Sequence, residues 1–311
     1  MSLTLAESAK FSENQLQRGI VETFVQESNI LDRLPLMKVE GNAFAYNQED
    51  KLPGVSFRSV YEAYPESTGI VNQRIEMLSI LGGDSDVDKF ISRTRGNLND
   101  QRAIQETLKV KAAAFTFADK FFNGDSTVNP KEFDGLRKRI IGAQVFDAGG
   151  VGPVLSGYEF FDALDSLTAR VRGINGKNGA LYMNGAILAK IRSGYRRLGG
   201  SELLVDSVVS GKLATMWNGI PLLDAGQTAD GADILPLTTK DGKQFGDIYA
   251  VRFGGTEADA GITGLTNGGI EVTDLGELGE KPVYRTRIEF YCGIALFGGK
   301  AAARLTGVLN G

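Results

Sequence analysis

Residues 84–124, DSDVDKFISRTRGNLNDQRAIQETLKVKAAAFTFADKFFNG, carry the strongest helix pattern in the chain. Ile104, Leu108, Lys111, Phe115, Ala118 and Phe122 recur at steps of three and four, which sets them on one stripe of an α-helix. The spacing predicts that Ile104, Leu108, Phe115 and Phe122 face a core and that Lys109 lies on the outer side. Asn123 and Gly124 supply the stop. At ~1.5 Å per residue, Asp100 to Phe122 makes a rod of roughly 35 Å, long enough to span a domain. Ahead of it, Asp84, Asp86 and Asp88 resemble the opening of a calcium loop. Lys89, however, stands where that loop needs glycine, and Arg95 where it needs a bidentate glutamate. The three acids are therefore read as a helix start, with negative charge near the positive end of the dipole.

Upstream, residues 4–34 read as helical. Ser12 and Gln15 form a capping-box pattern, and Leu16, Ile20 and Phe24 keep helical spacing with Val21 and Val25 beside them. Pro35 ends this amphipathic arm, because a proline disfavours helix in the residue before it. From Leu36 to Leu81 the period changes to two. Phe44 and Tyr46 share a face, and Arg74, Glu76, Leu78 and Ile80 alternate with Ile75 and Met77, so two long strands are expected. Between them, residues 47–69, NQEDKLPGVSFRSVYEAYPESTG, are broken by Pro53, Gly54, Pro65 and Gly69 and exceed an ordinary hairpin turn. An extended loop off the body follows, whose Phe57, Tyr61 and Tyr64 need a surface to pack against.

Downstream the chain alternates in an α+β pattern. Tyr158, Phe161, Leu164, Leu167 and Val171 predict one helix, and ALYMN (residues 180–184) a short strand. Asn184 then caps a helix carrying Ile187, Leu188, Ile191 and Leu198. LATMWNGIPLLDAG (213–226) predicts a hairpin turning at Asn218-Gly219, and DIYAVRFGG (247–255) another strand. VYRTRIEFYCGIALFGGKAAARLTG (283–307) predicts a final strand pair that closes the fold.

Composition excludes much. The chain has no histidine, so no mechanism that uses imidazole is available, including Ser-His-Asp and Cys-His nucleophiles and the HExxH zinc site. Its one cysteine permits neither an intrachain disulfide nor a thiolate metal cluster, and MSLTLAESAK lacks the pattern of a secretory signal, which places the chain in a reducing cytoplasm. No apolar run approaches the ~20 residues of a membrane helix. The formal charge of -4 argues against a protein whose main task is gripping nucleic acid by its phosphates. GGVGPVLSG (149–157) meets no phosphate-loop spacing, and Pro153 removes a donor where such a loop needs one, so a flexible surface loop is expected. The basic clusters Arg137, Lys138, Arg139 and Arg192, Arg196, Arg197 are read as solvated helix faces, with nucleic-acid contact as the alternative. Cys292, inside an apolar strand run, is expected to be a buried inert thiol, and Trp217 a packing anchor.

The order of these elements resembles the major capsid proteins of tailed bacteriophages, which share the Hong Kong 97 type shell fold. The likeness runs over nearly the whole chain. It is carried by LTLAESAKFSENQLQRGIVETF (3–24), ILGGDSDVDKF (80–90), WNGIPLL (217–223) and EFYCGIALFGGKAAARLTGV (289–308). The resemblance implies an α+β capsid fold with an N-terminal arm (1–36), an E-loop hairpin (37–83), a peripheral domain with a spine helix (84–149 and 271–311) and an axial domain (150–270). It implies a structural protein, not an enzyme and without cofactor. Copies would meet in pentamers and hexamers of an icosahedral shell around phage double-stranded DNA, in a virion assembled in the host cytoplasm. Lys51, Phe57, Arg58, Tyr61 and Tyr64 of the E-loop are the implied assembly contacts. Lys51 lies where cross-linking members carry the lysine of their isopeptide bond, a chemistry that also needs a desolvated glutamate and an asparagine from neighbouring subunits. Because the arm starts at residue one, a separate scaffolding protein is expected. A portal and, optionally, a decoration protein complete the implied partners; DNA is held by proximity without sequence-specific contact, and no membrane is involved. Encapsulins, which share the fold but enclose enzyme cargo, are the alternative.

Overall fold

A computed structural model describes residues 28–51, 53–91, 101–197, 204–209 and 212–310. The arm pattern from Ser12 to Val25, together with Arg95 and Leu198, lies outside these residues. Residues 28–34 form turns rather than the end of the expected helix. Ile30, Leu31 and Leu34 are buried, while Arg33 donates to the carbonyls of Gly176 (2.7 Å) and Gly179 (2.9 Å) and Asn29 to that of Asp224 (3.0 Å). These tertiary bonds tie the segment to distant loops, so it packs without continuing a helical ladder.

Among the described residues, three sheets follow. The first has the order β1 (Leu36–Lys38), β12 (Ile262–Glu277), β13 (Val283–Leu296), β4 (Ser79–Asp88). The second is the two-stranded hairpin of β2 (Ala43–Lys51) and β3 (Ile70–Met77). The third is eight-stranded. Its order is β5 (Val145–Asp147), β14 (Ala302–Leu309), β11 (Lys243–Arg252), β6 (Gly179–Met183), β9 (Ile220–Asp224), β8 (Lys212–Trp217), β7 (Leu204–Val209), and β10 (Thr238–Lys240) pairs with β11. The expected closing strand pair is thus corrected. β13 and β14 both exist, but each pairs in a different sheet, because β13 finds β12 and β4 while β14 finds β11 and β5. The hairpin turn at Asn218-Gly219 is as expected; φ is +49° and +76°, the two left-handed residues of a type I′ turn.

The eight-stranded sheet is covered on both faces, which explains why its central strands read as continuous apolar runs. Ala180 and Tyr182 of β6, with Tyr249 and Val251 of β11, join the core built on the long helix Gln101–Asn123. Their neighbours Leu181, Met183, Ile248 and Ala250 join a second core with the helices Gly157–Arg170 and Gly185–Arg197. Asn184 caps the latter as expected, its Oδ1 accepting the Ala186 N–H at 2.9 Å. Trp217 is the packing anchor: it stacks on Phe161 at 4.8 Å and donates Nε1–H to Asp165 at 2.8 Å.

The long helix forms, but turned from the expected face. Ile104 and Leu108 are exposed and Phe115 is only half-buried, whereas Val110, Ala114, Phe117 and Phe121 are fully covered. Two apolar stripes coexist on this helix. The first sheet selects the second stripe, with Phe117 5.7 Å from both Phe290 and Phe133. Only toward the C-terminus do both sheets enclose the helix, so that Phe122 also meets Tyr182 and Tyr249.

The segment 149–157 is corrected as well: Gly152 and Pro153 are buried, because the Pro153 carbonyl packs on Gly194 of the helix Gly185–Arg197. A Cβ at Gly194 would stand 1.9 Å from that oxygen. Gly194→Ala is expected to lower unfolding free energy by about 1–3 kcal/mol despite alanine's better helix propensity, because backbone must move to admit the methyl group. Urea denaturation measures this; an unchanged or raised midpoint contradicts the close packing.

Candidate assembly surface

The hairpin β2–β3 projects from the body. Its ladder runs from Ala43↔Met77 to Lys51↔Ile70 with an irregularity between Glu49 and Lys51, a reach of roughly 26 Å at ~3.3 Å per residue. Alternation decides what holds its root. Phe44 and Tyr46 point to the same side and meet Phe297 at 6.2 and 5.1 Å, beside Val39, Leu265 and Ala295. On the same hairpin Glu76 accepts two bonds from Arg139, at 2.5 and 2.6 Å, and one from the Tyr46 hydroxyl at 3.3 Å. Burial, and then the charge of Glu76, push the Tyr46 phenol above its ordinary pKa. For Arg139 burial opposes the charge, but the bonds to Glu76 together with its negative charge outweigh burial, so the pKa is raised.

The far end has no core. Phe57 and Tyr61 are fully exposed, Val55 and Val60 nearly so, and Tyr64 about two-thirds exposed. Local contacts give this tip its shape. Ser67 Oγ accepts the Gly54 N–H at 2.7 Å, Glu62 accepts the Ser59 N–H at 3.0 Å, and the Arg58 guanidinium lies 5.0 Å from the Tyr64 ring. The structure thus places Phe57, Arg58, Tyr61 and Tyr64 on one tip, with Arg58 and Tyr64 in contact, and sets Lys51 at the end of the ladder beneath it.

Two charge readings are corrected. Asp84 and Asp86 do not start a helix; they lie on β4 directly opposite Arg287 and Arg285 of β13 and bind them at 2.6–3.0 Å. The signal was present, since DSD and RTR both alternate with period two, as cross-strand ion pairs require. The cluster 137–139 is not a uniformly solvated face. Arg139 is spent on Glu76, and Lys138 donates to Asp125 and Asp134 (2.8 Å each) and to Ser126 (3.1 Å). No sequence signal pairs Glu76 with Arg139, which are 63 positions apart. Cys292 is buried as expected, and burial pushes its thiol up to about 12. Among the described residues no group of three or more acids or cysteines is placed to hold a metal ion.

The Lys138 contacts hold Asp125 well below the usual carboxylate range, with help from Thr127. At Asp134 burial works the other way, but the bonds from Lys138 and Ser126 prevail and its pKa is also lowered. Both groups therefore stabilise the loop fully above the unfolded aspartate pKa of ~3.9, and that contribution is lost as pH falls through the depressed folded values. Carboxyl carbon NMR is expected to show both titrating below ~3.9, and Lys138→Met to return them toward it. Ordinary midpoints in the unaltered protein contradict the assignment.

The comparisons with known proteins agree with this architecture. Residues 12–157 match the family model described as major capsid protein GP7. The fold is similar to the holo-SrpI encapsulin complex from Synechococcus elongatus PCC 7942, with TM-score 0.67 and 21% identity over 90% of this chain and 87% of that one. It is similar to the capsid of a native GTA particle computed with C5 symmetry (TM-score 0.63, 15% identity, 91% and 90% covered). Microbacterium phage Oxtober96 gives TM-score 0.61 at 12% identity, with 90% of each chain covered. The chain has the Hong Kong 97 type capsid shell fold. The family match spans the hairpin and the long helix. No curated protein matches the sequence.

Proposed function

We propose that identical copies of this shell subunit meet in pentamers and hexamers and close around the double-stranded DNA of a tailed phage, in a virion assembled in the host cytoplasm. In this reading the hairpin β2–β3 is the E-loop, and its tip lies over an adjacent copy through Phe57, Arg58, Tyr61 and Tyr64, with Lys51 at its base. The long helix is the spine of a peripheral domain and residues 150–270 form the axial domain. One observation carries the reading: a cluster of large apolar side chains stands fully exposed on an element with no core of its own, a surface that a repeated neighbour covers. A scaffolding protein and a portal are the further partners it calls for, with a decoration protein optional.

Electron microscopy of the expressed chain, with analysis of shell contents, tests it. Closed shells are expected, and the isolated subunit is expected to bind DNA without tight, salt-sensitive affinity, since the chain's net charge is -4 and packaged DNA must slide along the wall. The likeness to the SrpI encapsulin supports a second reading, a nanocompartment around enzyme cargo. Shells purified from the native source that hold protein and no DNA favour it.

A further inference from the structure

The one-turn helix Leu136–Arg139 separates its three cations. Lys138 and Arg139 are spent on acids, but the Arg137 guanidinium stands 4.0 Å from Asp247 with its side chain 45% exposed. It opens onto a cavity of about 370 Å³, which Arg304, Asp247, Thr238, Phe245 and Gly307 also line. The cavity sits where the β11–β14 ladder breaks. Pairing passes from Gly246↔Val308 to Ile248↔Leu305, leaving Asp247 opposite an extra residue, and Gly307 takes φ +70°. Bulges of this kind re-aim side chains out of a sheet.

Arg304 spends two donors on a single oxygen of Asp247, at 2.6 and 3.1 Å, and the Asp147 carboxylate lies behind Gly307, so what is left over at the cavity is guanidinium donors rather than net charge. Nearby, Tyr249 is fully buried with its ring 5.6 Å from the Arg304 guanidinium and its hydroxyl facing Arg137. Two planar guanidinium groups with unspent donors at one cavity and a rim hydroxyl from Thr238 match a tetrahedral oxyanion. We propose that this cavity binds a phosphate group between Arg137 and Arg304. Free inorganic phosphate and the phosphodiester backbone of nucleic acid share that chemistry. The inference goes beyond the shell reading and does not depend on it.

Calorimetric titration of the full chain with inorganic phosphate at low salt tests it, followed by competition with a short DNA duplex. Saturable binding is expected, and Arg137→Met, an exposed position, is expected to weaken it by about ten- to a hundredfold, the loss of one charge-assisted contact. Arg137→Lys is expected to retain part of the affinity. Thr238→Val, at the cavity rim, gives a second variant and is expected to weaken binding severalfold. Displacement of phosphate by the duplex assigns the site to a nucleic-acid backbone, and failure to displace it to a free anion; either supports the cavity as a phosphate site. Phosphate that fails to bind at millimolar concentration, or binds folded Arg137→Met as tightly as the unaltered protein, overturns the proposal.

Discussion

Deleting residues 48–65 is expected to leave a folded, soluble subunit that no longer builds shells. The deletion spares everything that anchors the hairpin: Phe44 and Tyr46 against Phe297, and Glu76 with Arg139. Five ladder pairs, Ala43↔Met77 to Asn47↔Gln73, also remain, joined by a loop of ordinary length. What it removes is the exposed cluster Val55, Phe57, Val60, Tyr61 and Tyr64, which contributes nothing to the buried cores. Far-UV circular dichroism and urea denaturation are expected to stay close to those of the full chain, while electron microscopy shows no closed particles or misdirected ones. Normal shells from the shortened chain contradict the role given to the tip. Loss of folding contradicts its independence from the core.

The second large effect lies inside. Phe117→Ala is expected to cost ~3–5 kcal/mol, because the side chain is buried between Phe133 and Phe290 and its removal leaves a cavity that the sheet cannot fill. Phe115→Ala, on the half-buried flank, is expected to cost less, and Leu108→Ala, exposed, to stay within about 0.5 kcal/mol. Urea unfolding of the three variants gives the ranking. A loss at Phe115 equal to or above that at Phe117 shows that the other stripe faces the core.

That pair of phenylalanines also shows how far the residues can be read unaided. Ile104, Leu108, Lys111 and Phe115 make a genuine helical stripe, and so do Val110, Ala114, Phe117 and Phe121; periodicity ranks neither above the other. At the hairpin, the two-residue period places Phe44 and Tyr46 on one face correctly; of the broken segment, 53–69 form the exposed tip, whereas 47–51 continue the strand and its ladder. Its anchor on Glu76 was not legible, because Arg139 is just one of three consecutive cations, and which of them turns inward depends on where that short helix docks.

Local chemistry alone determined the helix end at Asn123-Gly124, the left-handed turn at Asn218-Gly219, the cap at Asn184, the inertness of Cys292 and the absence of imidazole chemistry. Each depends on one residue type or on neighbours within a few positions, where backbone torsion and capping act directly. Only the tertiary structure decided which stripe of the long helix is buried, that β13 and β14 part into different sheets, and that Asp84 and Asp86 meet Arg287 and Arg285 about two hundred residues away. A strand's edge and a helix's flank each offer two surfaces of similar composition, and the choice between them falls to whichever distant partner buries more apolar area and satisfies more backbone bonds.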